Sequence, residues 1–165
     1  MAIKVLFVCL GNICRSPTAH GVFQKLLNDA GLHDEIQVDS AGTGDWHIGR
    51  SPDQRSQAAA LSRQYDLSSL RARQVCKADF ETFDYILAMD ECNLADLQAM
   101  HTHQAKCELA LFLTYAKHTA RREVPDPYYG GEQGFDEVLD LVEDAAEGLL
   151  HHICAHHGLG NGAAL

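Results

Sequence analysis

A chain of 165 residues, 46% of them hydrophobic, is one domain's worth of sequence and can bury roughly 70% of its unfolded surface without a metal or disulfide framework. Its formal charge of −10 argues against a nucleic-acid protein, because binding a phosphate backbone takes a basic face, and makes any anion site a focused pocket. Six cysteines without a C-x-x-C pair, no apolar run long enough for a bilayer and no leader-like cleavage site lead us to expect a reducing, cytoplasmic setting, with no membrane role.

The first predicted element is a strand, because the apolar run Val5–Val8 is unbroken and ends at Cys9. A short loop through Gly11 and Asn12 leads to Arg15 and Ser16, where a helix begins. Val22, Phe23, Leu26, Leu27 and Ala30 fall at helical spacing, with Gly31 as a stop. Ile36–Ala41 alternates apolar and polar residues and reads as a second strand, parallel to the first across a βαβ unit. Residues 42–52 carry three glycines, a proline and the only tryptophan, Trp46, and form a loop. Ser51, Pro52 and Gln54 resemble a capping box for a helix through Ala58, Leu61 and Tyr65.

The polar residues 66–75 resist assignment. Asp84–Met89 is expected to be a buried third strand after the acidic stretch 77–83. Leu94, Leu97 and Met100 share a helical face, and a fourth strand is expected at Cys107–Phe112. The loop from Lys117 to Gly134 contains Asp126 between two prolines, which bias their neighbours toward extended geometry and stiffen that segment. From Phe135 to Ile153 runs the strongest amphipathic pattern in the chain. The alternation predicts a three-layer α/β domain over residues 1–157, with a four-stranded parallel sheet of order 2-1-3-4, helices on both faces, and a flexible tail at 158–165. In that order the loop after strand one opens at a topological switch point, where ligands bind.

That loop carries the chemistry. A strand-end loop feeding a helix N-terminus turns several amides into one concavity and adds the positive end of the helix dipole, a nest for an oxyanion. Cys9 and Arg15 stand at its two ends. The thiolate is the nucleophilic form of cysteine, and helix amides and an arginine stabilise charge on sulfur. Arg15 offers a planar fork suited to two phosphoryl oxygens. Ser16 can donate to the sulfur when it leaves. An ester oxygen departing from phosphorus needs a proton, and Asp126 is the candidate acid, although an aspartate before a proline is also an ordinary turn residue. Trp46 can line the pocket or cap the core. The histidines at 151, 152, 156 and 157 lack ligands at structural-zinc spacing and read as a solvated helix end.

CLGNICRSP after a strand, DSAGT with a downstream tryptophan, ARQ, FDYILAMDECNL and DPYYGG occur in one order from Ile3 to Ile153. Together they resemble the low-molecular-weight protein tyrosine phosphatases. The resemblance implies that Cys9 forms a cysteinyl-phosphate, with Arg15 and the amides of Leu10, Gly11, Asn12, Ile13, Cys14 and Arg15 holding the phosphate. It implies Asp126 as acid and then base, and Asn12 and Ser40 as hydrogen-bond partners that keep the loop in shape, one residue of it left-handed. Trp46, Tyr128 and Tyr129 become aromatic walls for a phenyl ring, and Cys14 a second thiol able to trap an oxidised nucleophile. No metal or other cofactor is implied. The expected partners are tyrosine-phosphorylated proteins, with a tyrosine kinase as a further candidate, and the protein is expected to be a monomer. One departure concerns SSLRARQ: several relatives carry a histidine before this ARQ, where Leu70 and Arg71 stand here, so no catalytic role is assigned there.

Two rivals use the same loop. An arsenate reductase on this scaffold would pass oxidation along a downstream cysteine pair, but Cys76 and Cys92 are far apart in sequence and DPYY has no purpose in that chemistry. A flavodoxin-like module would hold a cofactor phosphate and would need neither Cys9 nor Asp126.

Overall fold

The computed structural model describes residues 2–101, 106–128 and 130–160. Four parallel strands, β1 (Ile3–Cys9), β2 (Ile36–Gly42), β3 (Tyr85–Ala88) and β4 (Glu108–Leu111), make one sheet of order β2-β1-β3-β4, as expected. Apart from Lys4 near its start, β1 is apolar because both of its faces are covered. Val5, Phe7 and Cys9 enter a core with α1 (Arg15–Ala30) and α5 (Glu132–His157), whereas Leu6 and Val8 enter a second core with α3 (Asp79–Thr82) and α4 (Glu91–Met100). Phe7 anchors the first, its ring edge-on to Phe23 and Phe112 at centroid distances of 5.7 and 4.9 Å. Burying each such ring contributes about 1.5–3 kcal/mol. β1 pairs with β2 on one side and β3 on the other, so its C-terminal loop opens where the chain order reverses.

Several local expectations change. The second long helix, α2 (Gln54–Ser62), is capped by Asp53, whose carboxylate accepts from the Arg55 N–H, and not by Ser51. It stops before Tyr65, with Gln64 at φ 71°. The acidic stretch before β3 holds the short α3, whose Asp79 accepts from the Cys76 N–H at 2.8 Å and from both terminal nitrogens of Arg73 at 3.0 and 3.1 Å. β4 is shorter than expected because a 3-10 turn takes over at Phe112–Tyr115. The unassigned residues before α3 contribute a single parallel bridge, Gly42 to Gln74.

At the C-terminus the chain is held further than the expected tail boundary. Gly158, at φ 65°, closes α5, and Leu159 donates to Cys154 O at 3.0 Å and packs on the first core. Residues 161–165 lie outside the described part. The helix-end histidines are not all simply solvated: His157 Nε2 lies 3.0 Å from the Tyr85 hydroxyl, and the His152 and His156 rings stack at 5.7 Å. Among the described residues no cluster of three or more His, Cys, Asp or Glu could hold a metal ion, and no helix is long and apolar enough to cross a membrane.

Candidate active site

The loop after β1 is built by where its carbonyls go. Those of Cys9, Leu10, Ile13 and Cys14 accept from the amides of Thr43, Gly44, Asp53 and Thr18 at 2.9, 2.9, 2.8 and 3.3 Å. A planar trans peptide points its N–H opposite to its C=O. The amides of Leu10, Gly11, Cys14 and Arg15 therefore turn away from these bonds, to the opposite side of the loop. The Asn12 amide joins them, donating to Cys9 Sγ at 3.3 Å. No side chain caps the N-terminus of α1, so its field opens into the same concavity.

Asn12 is the left-handed residue, at φ 56°, a conformation that asparagine tolerates better than most side chains. Its amide group holds it there. The Arg73 N–H donates to Asn12 Oδ1 at 3.0 Å, and Asn12 Nδ2 donates to Ser16 Oγ at 2.7 Å. Ser16 Oγ lies 3.0 Å from Cys9 Sγ. Having accepted from Asn12, the hydroxyl can turn its proton to the sulfur, so the chain of donors runs one way, from the Arg73 backbone to Cys9.

Arg15 is 3% exposed, and its Nη1 is fixed by Asp90 Oδ2 at 2.6 Å and Val124 O at 3.1 Å. Burial works against the charge, but Cys9, Asp90 and Asp126 outweigh it and raise the guanidinium above its ordinary value. Arg15 thus stays cationic although buried, between two carboxylates. Nη2 faces Asp126 Oδ2 at 3.6 Å. The Asp126 segment docks on the end of β3, where the Val124 N–H donates to Met89 O at 2.8 Å. Asp126 Oδ1 accepts from the Tyr128 N–H at 3.0 Å. The proposed acid and the phosphate-binding loop, more than a hundred residues apart in sequence, meet at one cleft.

That cleft, of roughly 380 Å³, is lined by Cys9, Leu10, Gly11, Ile13, Cys14, Arg15, Trp46, His47, Asp126 and Tyr128. Its floor is buried and its rim open: Cys9 is 2% exposed, Trp46 66% and Tyr128 39%. Tyr129 lies outside the described residues. Ser40 Oγ pairs with His20 Nδ1 of α1 at 3.0 Å, which places its bond behind the loop. Burial lowers the His20 pKa against the opposing pull of Asp39. Cys14 is buried at the start of α1. Burial pushes its thiol up to about 12, against a hydrogen bond from Ser56 and with help from Asp53, Cys9 and Asp126, so Cys14 is a thiol at neutral pH.

Four residues escaped sequence reasoning. Asp90 follows β3, the strand beside β1, so its position at a strand end was the available signal. Gly42 pairs with Cys9 across the sheet, and a Cβ there would lie 2.7 Å from Leu10 O. Only glycine lets the loop backbone cross β2 this closely. His47 packs over Gly11, where a Cβ would sit 2.9 Å from its ring. Arg55 reaches from α2 to the Asp126 segment.

The comparisons with known proteins agree with this geometry. The family model described as low molecular weight phosphotyrosine protein phosphatase matches residues 4–158. A low molecular weight protein-tyrosine-phosphatase of Bacillus subtilis is 42% identical over 151 residues, 92% of this chain and 96% of that protein. The human low molecular weight phosphotyrosine protein phosphatase is 44% identical over 136 residues, 82% of this chain and 85% of that protein. The crystal structure of a protein tyrosine phosphatase from Entamoeba histolytica superposes with a TM-score of 0.89 at 42% identity, covering 95% of this chain and 99% of that one. With this loop, this sheet order and these relatives, the chain belongs to the low molecular weight phosphotyrosine protein phosphatase family.

Proposed function

We propose that this protein hydrolyses phosphotyrosine in proteins, and small aryl phosphates, in two displacement steps at Cys9. In the first, the Cys9 thiolate attacks phosphorus while the bond to the tyrosyl oxygen breaks, and the Asp126 carboxyl group gives that oxygen its proton. The loop amides from Leu10 to Arg15 and the Arg15 guanidinium hold the phosphoryl oxygens, whose charge they stabilise most in the transition state. In the second, the Asp126 carboxylate takes a proton from water, the water oxygen bonds to phosphorus, and the S–P bond breaks. Ser16 donates to the departing sulfur.

The observation that carries this reading is the convergence of Cys9, Arg15 and Asp126 on one cleft whose nucleophile is floored and whose aromatic residues are at the rim. A phenyl ring spans floor to rim, with Trp46 and Tyr128 as its walls; a phosphoserine stem is too short to bring its backbone clear of them. Tyr129 is assigned with them from the family resemblance. Asn12 and Ser40 act by support, the first on the loop itself and the second through His20.

Cys14 is assigned as the partner that captures an oxidised Cys9 as a disulfide, and its burial as a neutral thiol keeps it out of the phosphoryl chemistry. We assign the protein to the cytoplasm, acting as a monomer on tyrosine-phosphorylated proteins, and opposite a tyrosine kinase. The test is metal-free hydrolysis of matched phosphotyrosine and phosphoserine peptides, with acid quenching to trap labelled protein. Turnover of the first peptide only, with label absent from Cys9→Ser, is the expected result. Equal turnover of both peptides, or label retained in that variant, overturns the reading.

A further inference from the structure

Asp126 stands on an irregular segment, yet a general acid must be placed within hydrogen-bond reach of one ester oxygen. What fixes it lies on another element. The Arg55 Nη2 donates to Tyr128 O at 3.1 Å, and the guanidinium carbon lies over the rings of Tyr128 and Phe135, 5.4 and 4.9 Å from their centroids. The same guanidinium is gripped by the Asp53 carboxylate through Nε and Nη2 at 3.1 and 3.0 Å. Asp53 caps α2, and its own amide donates to Ile13 O in the phosphate-binding loop at 2.8 Å. A continuous path therefore runs from Ile13 through Asp53 and Arg55 to Tyr128, whose N–H holds Asp126 Oδ1.

We infer that Arg55 is a positioning residue for the general acid: it ties the Asp126–Tyr128 turn to the phosphate-binding loop, so that carboxyl and sulfur keep a common frame. An ion pair with one partner at the surface, such as Asp53–Arg55, contributes little to stability by itself. Here its value is geometric. The planar fork spans a carboxylate on one side and a carbonyl on the other while its face stacks on an aromatic ring, and no other side chain type offers all three. Phe135, in the first turn of α5, gives the same guanidinium a second aromatic neighbour.

This inference rests on the assignment of Asp126 as the acid, and leaving-group dependence separates the two. Phenyl phosphate needs its departing oxygen protonated, whereas dinitrophenyl phosphate releases an anion stable without a proton. Arg55→Met keeps the stem over the rings and removes the fork. We expect its kcat/KM to fall at least about tenfold on phenyl phosphate and less than about threefold on dinitrophenyl phosphate, the latter showing that the folded site and nucleophile are intact. Asp126→Ala should show the same selectivity more strongly, and adding Arg55→Met to it should cost less than about threefold more. Equal losses on both substrates, or none, in a background where Asp126→Ala is leaving-group selective overturn the role of Arg55 alone. Loss of selectivity in Asp126→Ala itself removes the acid assignment and the positioning role with it.

Discussion

The two halves of the active site are built in opposite ways. Residues 9–16 are contiguous, with Cys9, Asn12, Cys14, Arg15 and Ser16 buried, the carbonyls of Cys9, Leu10, Ile13 and Cys14 hydrogen-bonded, and Asn12 and Ser16 relaying donors to the sulfur. Residues 124–128 are irregular, with Val124 and Pro127 buried and the Asp126 side chain between them 35% exposed. The proposed nucleophile and anion nest are thus preorganised, which is where electrostatic stabilisation of phosphoryl transfer gains most. The proposed acid keeps a solvent-facing carboxylate on a tied turn, from which it can exchange protons with water between the two proposed steps. A group that donates and then accepts a proton cannot be sealed as Arg15 is.

This contrast can be broken from either side. Cys9→Ser should reduce hydrolysis of p-nitrophenyl phosphate by at least about 10⁴-fold, because nothing else in the nest can carry the phosphoryl group. A steady-state assay on protein free of wild-type carry-over checks it. Asp126→Ala should lose on the order of 10²–10⁴-fold in kcat/KM on phenyl phosphate, the range of a missing general acid, with the thermal midpoint within a few degrees of wild type. A collapse in midpoint would instead make the segment part of the core.

Gly42→Ala probes the preorganised half without touching a reacting group. Its Cβ would press on Leu10 O at 2.7 Å, so the loop must shift, and a displacement approaching 1 Å should cost on the order of 10²-fold in activity. Substrate turnover alongside near-ultraviolet circular dichroism would show whether the loss is local. The smallest effect expected is at His20. Burial holds its folded pKa below the ordinary 6.5, so the unfolded chain binds the extra proton as pH falls. The stabilisation is complete above about 6.5 and is lost as pH falls toward the folded value, by at most about 1.4 kcal/mol per pH unit. Urea midpoints of wild type and His20→Gln at neutral and mildly acidic pH should therefore converge as pH drops; parallel curves would refute it.

How much was legible follows the same division. The phosphate-binding loop could be read because its geometry is local: a strand that ends at a thiol, a residue able to take positive φ and a helix start all lie within eight positions. The resemblance implied one left-handed residue in the loop without naming it, and the structure puts it at Asn12. Misreadings occurred where two local signals competed, as at α2, where Ser51 before proline looked like a cap but Asp53 holds the Arg55 amide. Asp90 and Arg55 were not read from the sequence, since each acts through a partner more than seventy residues away, and neither the strand end that carries Asp90 nor the helix that carries Arg55 shows what the side chain faces.

Sequence alone determined the sheet order and marked the candidate nucleophile and anion nest, because alternating apolar periods and short-range loop chemistry encode them without reference to distant contacts, while the family resemblance singled out the candidate acid. Only the tertiary structure decided how the acid is held, why Gly42 must be glycine and which carboxylate fixes Arg15. Those depend on the separation of atoms brought together by packing, a quantity set when β1, β2 and β3 align and the segment after β4 folds back across their ends.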